Sequence, residues 1–443
     1  MESEKQYIDL YAQCRDMING HSNEVMNSVR EKAFEDFKRQ GFPTRKVERY
    51  KYTNMAELFA PDYGLNLSRL EIPVNPYDAF KCDVPNMSTS LYFVVNDAFY
   101  DKALPKAELP EGVFVGRLAD AQDKVASLYG SLADTSTDGI TALNTMLAQD
   151  ALLIYVSKNV KVDRAIQVIN ILRSDVEMMV NRRVLIVLEQ GADAKILFCD
   201  HAADDRKFLA TQVVEVFVGE NAHLDMTCLE ETHYKNVRVS NVYIDQKANS
   251  RVDHNVITLH NGVTRNRTDL VFSGEGAECY MNGCVIADKE QHVDNNTLID
   301  HKVPHCDSHE LYKYVLDDKA VGAFAGKVLV RKDAQKTTSQ ETNQNLCATK
   351  ECRMYTQPML EIYADDVKCA HGSTVGQLND KALFYMQQRG ISLEEARTLL
   401  QNAFIGEVID RIQVEPLRDR LRHLVEKRFR GELNKCEGCK LCR

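Results

Sequence analysis

At 443 residues, 44% hydrophobic and 27% charged, the sequence has the composition of a folded protein with room for more than one structural unit. A formal net charge of −10 argues against a broad nucleic-acid-binding face. No apolar run approaches the ~20 residues that cross a bilayer, and MESEKQYIDLYAQCRD lacks the apolar stretch of a secretory signal, so the reading is a cytoplasmic protein that binds neither nucleic acid nor membrane.

Residues 1–60 read as an N-terminal helical region. VMNSVREKAFEDFKRQG carries Val25, Val29, Ala33, Phe34 and Phe37 at helical spacing, with Gly41 as a stop. The basic, aromatic FPTRKVERYKYTNMAELF that follows reads as a solvated linker packing two tyrosines. Residues 61–150, with several prolines and the apolar LYFVVND, form a mixed connecting region.

Residues 151–377 change character. ALLIYVS, AIQVINIL, RRVLIVLE, AKILFCD and VVEVFVG are short, β-branched and bounded by Gly, Asn or Asp, which are strand signals. KVDRAIQV, GADAKILF, GENAHLDM, KANSRVDH and GEGAECYM align so that Ala165, Ala194, Ala222, Ser250 and Ala277 recur at intervals of 29, 28, 28 and 27 residues. A repeat of this length without intervening helices predicts a mainly β fold with flanking α, its core a β-solenoid. A β-sandwich with evenly spaced turns is the alternative. Residues 378–430 turn helical again: DKALFYMQQRG ends at Gly390, Ser392 and Glu395 make a capping box, and Leu399, Leu400, Ala403, Phe404, Val408 and Ile412 mark one apolar face. Pro416 then separates a last basic amphipathic helix.

The chemistry is sparse. GAFAGKV, 322–328, has three residues between its glycines and a valine after the lysine, so it lacks the loop and hydroxyl of a phosphate-binding P-loop. His301, His305, Cys306 and His309 cluster in IDHKVPHCDSHEL but match no zinc spacing, and read as polar residues of the solenoid. Cys369 and His371 are two apart on a predicted strand, so they share a face and suit iron or zinc. Two ligands hold a cluster poorly, which calls for more from another chain. The 13 scattered cysteines fit reduced thiols better than a disulfide framework. In the tail, 431–443, Cys436, Cys439 and Cys442 form C-x2-C-x2-C, three thiols able to wrap one metal or part of a cluster, or simply exposed on a loose end.

Long stretches resemble the SufB/SufD family of iron–sulfur cluster assembly scaffolds. FPTRKVERYKYTN is similar to its N-terminal signature, with Tyr50 where the family often has Trp. LNTMLAQDALLIYV looks like the strand opening the family's β-helix, and HKVPHCDSHELYKYVLDDKAVGAFAGKVLVRKDAQKTTSQETNQNLC resembles its core. PMLEIYADDVKCAHGSTVGQLNDKALFYMQQRGISLEEARTLLQNAFIGEVI matches the C-terminal signature, Ser373 replacing the usual Ala. The V-K-C-x-H-G form favours the SufD branch over SufB. The resemblance implies a right-handed parallel β-helix between helical regions and a non-catalytic role. It implies a SufB-like paralogue paired through the β-helix and a SufC-like ATPase docked on the C-terminal helices, where Phe384, Leu399, Leu400, Phe404 and Ile409 are the candidate contacts. It places His371, with Cys369 beside it, at the nascent cluster, with no tightly bound cofactor but transient iron or an iron–sulfur cluster at the subunit interface. It gives the tail cysteines no support. A SufB-like scaffold stays open, and so does homodimerisation through the β-helix. So does a carbohydrate-active solenoid enzyme, which the missing signal disfavours.

Overall fold

The computed structural model describes residues 2–76, 89–102 and 109–432. At its centre eight coils stack into a two-faced parallel β-solenoid, each coil giving one strand to either sheet. The first sheet runs through Ala165–Leu172, Asp193–Ala202, His223–Glu231, Arg251–His260, Glu278–Ala287, Asp307–Leu316, Thr338–Cys347 and Lys368–Gly376. The second runs through Leu152–Val156, Met178–Leu188, Phe208–Val218, Val237–Gln246, Val263–Phe272, His292–His301, Val321–Val330 and Arg353–Ile362. Two strands of the connecting region extend the base: Thr89–Val95 pairs parallel with the first sheet and Val113–Arg117 antiparallel with the second.

Register explains the repeat. At one corner of successive coils a left-handed residue precedes a small buried one: Gly191–Ala192, Asn221–Ala222, Asn249–Ser250, Gly276–Ala277, His305–Cys306 and Lys336–Thr337. Positive φ is accessible to Gly and tolerable for Asn, and only a small side chain fits under the next coil. At Gly276 a Cβ would lie 2.6 Å from Asn249 Oδ1 of the coil below. The repeat is thus real, but the alignment of its first two members is corrected. The corner residue is Ala192, whereas Ala194 is an inward strand residue. Ile166 is level with Ile196, which puts Ala165 out of step. Coil length also varies, from 26 residues between Val237 and Val263 to 32 between Val321 and Arg353.

Apolar inward positions such as Ile166, Ile196, Leu224, Val252, Val216 and Leu270 fill the coils. The outer faces are covered by helices. Over the second sheet lie α1 (Glu2–Gly20), α2 (Glu24–Gln40) and α3 (Gly139–Leu147), whose Tyr11, Phe37, Ile140 and Leu143 join one core with Met179, Leu209 and Val239. All nine residues of α3 are buried, so the first half of LNTMLAQDALLIYV is helix and only Leu152–Val156 is strand. Over the first sheet lie α5 (Leu393–Ile409) and α6 (Glu415–Phe429), following α4 (Asp380–Gln388). Ile405, Val408, Ile409, Ile412, Leu421 and Val425 pack on Ile257, Leu259, Ile286, Leu311 and Val315. Gly390 ends α4 in the left-handed region as expected. The capping box is half formed: Ser392 Oγ accepts from the Glu395 N–H at 3.1 Å, but the Glu395 carboxylate turns to Arg430. Among the described residues no helix is long and apolar enough to cross a membrane.

The basic segment before the connecting region is no solvated linker. It is a strap clamped along the second sheet. Arg49 and Arg267 both grip Asp269, and Tyr50 donates to Asp138 with the Arg265 guanidinium 3.8 Å from its ring centre. Thr53 donates to Asp294 at 2.5 Å, and Tyr52 stacks on Tyr355 at 4.8 Å.

Candidate functional site

The last coil, Arg353–Ile362 and Lys368–Gly376, differs from all the others. Its strands stand at the ends of their sheets, so each pairs on one side only, and most of its residues are exposed or half-exposed. Lys368 N–H donates to Thr337 O at 2.8 Å, so the N–H groups of alternate residues 368 to 376 face the coil beneath. Those of 369, 371, 373 and 375 therefore point out along the axis, an unpaired edge ready to template another strand.

The same parity sends Cys369, His371, Ser373 and Val375 into the mouth of the solenoid. Ser373 Oγ is 2.6 Å from Thr356 Oγ1 of the opposite strand, and Cys369 packs near Val328, Val330 and Leu360. Cys369 and His371 thus share a face, as strand periodicity requires. Cys369 is half-buried, and burial raises its thiol against the opposing pull of the Ser339 backbone, which keeps it largely protonated at neutral pH. His371 is exposed. Among the described residues no three His, Cys, Asp or Glu side chains converge on one point. The pair is an incomplete site, open on the side where an added strand would lie.

The other histidines separate. His301 Nε2 lies 3.0 Å from Ser308 Oγ inside the solenoid, where burial pushes the imidazole down to about 3. His305 occupies the left-handed corner, Cys306 is the small residue behind it, and His309 stacks on Tyr280 at 5.0 Å. They are structural parts of four kinds, not a ligand set. GAFAGKV lies within the strand Val321–Val330, with no helix behind it. Cys436, Cys439 and Cys442 lie outside the described residues.

The candidate docking residues divide. Phe384 is 63% exposed and Leu399 42%, with Tyr385 and Leu393 also exposed nearby in sequence. Leu400 is half-exposed. Phe404 lies partly under Lys313, whose ammonium is 4.7 Å from its ring centre. Ile409 is corrected: at 1% exposure it belongs to the seam between α5 and the solenoid, so no partner can touch it while that seam is closed. Tyr385 and Leu393, which the sequence reading passed over, lie in the stretch between Phe384 and Leu399.

Residues 170–404 match the family described as SUF system FeS cluster assembly, SufBD core domain, and residues 1–168 match the SufBD protein N-terminal region. The chain belongs to the SufB/SufD family. Among SufB/SufD relatives, an iron–sulfur cluster assembly SufBD family protein of Synechocystis sp. is 26% identical over 432 residues, 93% of either chain. The iron–sulfur cluster assembly protein SufD of Escherichia coli is 28% identical over 397 residues, 89% of this chain and 90% of its own. A Mycobacterium leprae SufBD family protein reaches 37% over 181 residues, 39% of this chain and 46% of its own. The exposed last coil lies inside the matched core domain, and so do α4 and the start of α5.

Proposed function

We propose that this chain is a SufD-type, non-catalytic subunit of an iron–sulfur cluster scaffold. The observation that carries the reading is the open last coil, with outward N–H groups on the strand that places His371 and Cys369 at its mouth. A SufB-like paralogue adds its own terminal strand to this edge, burying the seam and supplying the ligands that two side chains lack. Gly372 and Gly376 favour close approach there, since a Cβ on either would meet nothing within 4 Å. The His371 imidazole supplies an iron ligand, and Cys369 stands two residues away. Iron and sulfide are cargo, held briefly and passed on.

A SufC-like ATPase docks on the exposed apolar side chains of α4 and α5, Phe384, Tyr385, Leu393 and Leu399. Hydrolysis belongs to that partner. Because α5 is bonded to the first sheet through Lys313, which reaches Glu407 at 2.5 Å and Phe404 O at 3.1 Å, movement of the ATPase is transmitted to the solenoid.

The test is co-expression without oxygen with a SufB-like and a SufC-like protein, read by native mass spectrometry. Wild type forms a ternary complex. Val375→Pro removes one outward N–H without breaking the ladder to the coil beneath, and loses the SufB-like subunit. Phe384→Ala with Leu399→Ala loses the ATPase alone. A ternary complex that survives Val375→Pro with unchanged stability would place the paralogue elsewhere. Self-association through the same edge is the second reading, and homodimers lost on Val375→Pro would establish it.

A further inference from the structure

The solenoid interior turns polar towards its open end. Met281, Glu310, Glu341 and His371 stand in one inward column on successive strands, in register with one another. Neighbouring strands are ~4.8 Å apart, so Glu341 lies one rung and Glu310 two rungs beneath the mouth. Glu310 is 2% exposed and Glu341 1%; among the described residues Glu310 meets only the Thr297 hydroxyl, and neither carboxyl oxygen of Glu341 has a hydrogen-bond partner. Thr297, 2% exposed, faces Glu310 from the opposite wall. Above Thr297 in register is Gly326, and a Cβ there would sit 2.2 Å from Glu341 Oε1, so the carboxyl occupies the space that a side chain would fill.

Two adjacent carboxyls in a closed interior are costly when ionised and uncompensated. Burial, then the charge of Glu310, pushes the Glu341 carboxyl up, and burial pushes Glu310 up against the opposing hydrogen bond of Thr297. No lysine or arginine contributes at either group. The buried acids of the strap, by contrast, each have an arginine partner.

We propose that Glu310 and Glu341, with the Thr297 hydroxyl, form a divalent-cation site inside the last coils, reached through the mouth past His371. Two carboxylates and a hydroxyl are a hard oxygen set, with water completing the shell, which suits a divalent ion such as manganous or ferrous. The cation supplies the positive charge that the protein withholds. That the bound ion waits there for delivery to His371 rests on the scaffold reading; the binding does not.

The probe is manganous ion alone, titrated anaerobically into chelator-stripped full-length protein and followed by loss of the free-ion electron paramagnetic resonance signal. All variants carry Cys436, Cys439 and Cys442→Ser so that tail thiols do not contribute. The parent binds one ion per chain, displaced by ferrous ion. Glu341→Gln weakens binding by about tenfold or more, Glu310→Gln with Glu341→Gln abolishes it, and His371→Ala retains it. The isosteric double variant keeps its melting temperature in the absence of metal, which shows it folded. Equal uptake by parent and double variant, or no uptake by either, overturns the proposal. So does uptake lost in His371→Ala but kept in Glu341→Gln, which would move the site to the mouth. Complex formation with the paralogue is a separate readout and can fail independently.

Discussion

Ile409 and Leu399 lie on the same helix and separate packing from docking. Ile409 is 1% exposed in the seam with Ile286, Leu311 and Val315, so Ile409→Ala removes a fully buried branched side chain and leaves a cavity. Substitutions of this kind cost ~2–5 kcal/mol, and about 3 kcal/mol is expected where two helices and a sheet close round the site. At about 1.4 kcal/mol per tenfold, the population with α5 and α6 lifted from the solenoid rises about 100-fold. Leu399 is 42% exposed, and its truncation costs about 1 kcal/mol or less. Hydrogen exchange resolved by peptide reads both. Amides of α5 and α6 exchange about 100-fold faster in Ile409→Ala, while Leu399→Ala matches wild type and instead loses affinity for the ATPase. Unchanged exchange in Ile409→Ala together with lost ATPase binding would refute the seam and return Ile409 to the partner surface.

The strap makes an acid-sensitive contact. Burial pushes the Asp269 carboxyl up, but Arg267 and Arg49 outweigh it and hold it well below the usual range, so its stabilisation is present above about pH 4 and lost as pH falls towards the folded value. Thermal melts of wild type and Asp269→Asn should differ by a constant amount above about pH 5, and the gap should begin to narrow only below about pH 4. Tyr50→Phe removes the donor to Asp138, whose remaining contacts are Arg267, the Asn241 side-chain amide and the Thr141 N–H, and should cost about 1.5 kcal/mol in denaturant unfolding. Asn221 sits at φ 56, so Asn221→Ala should destabilise by about 1 kcal/mol while Asn221→Gly stays within about 0.5 kcal/mol.

The solenoid was legible because its corners impose a small residue once per coil, whatever the strands between them do. It was read slightly out of phase because the corner accepts Cys306 and Thr337 as readily as alanine, and because coils differ in length by up to six residues. The shared face of Cys369 and His371 follows from a period of two and needs no tertiary information. The strap was missed because Arg49 and Asp269 are 220 residues apart, and nothing local distinguishes a clamped basic segment from a solvated one. The carboxyl column is hidden for the same reason: Glu310 and Glu341 are ordinary polar residues of alternating strands until register sets one above the other. Ile409 fell among the docking candidates because an amphipathic face does not say whether its own body or a partner covers it.

The central claim is that the open last coil is where a cluster is built, with His371 as a ligand. Its most direct test is anaerobic cluster assembly on the purified complex of this chain with its SufB-like and SufC-like partners, supplied with ferrous iron, sulfide and ATP, for wild type and His371→Ala. The account predicts that the variant complex assembles with normal stoichiometry and hydrolyses ATP, yet yields several-fold less iron–sulfur chromophore. An undiminished yield from an intact variant complex would contradict it.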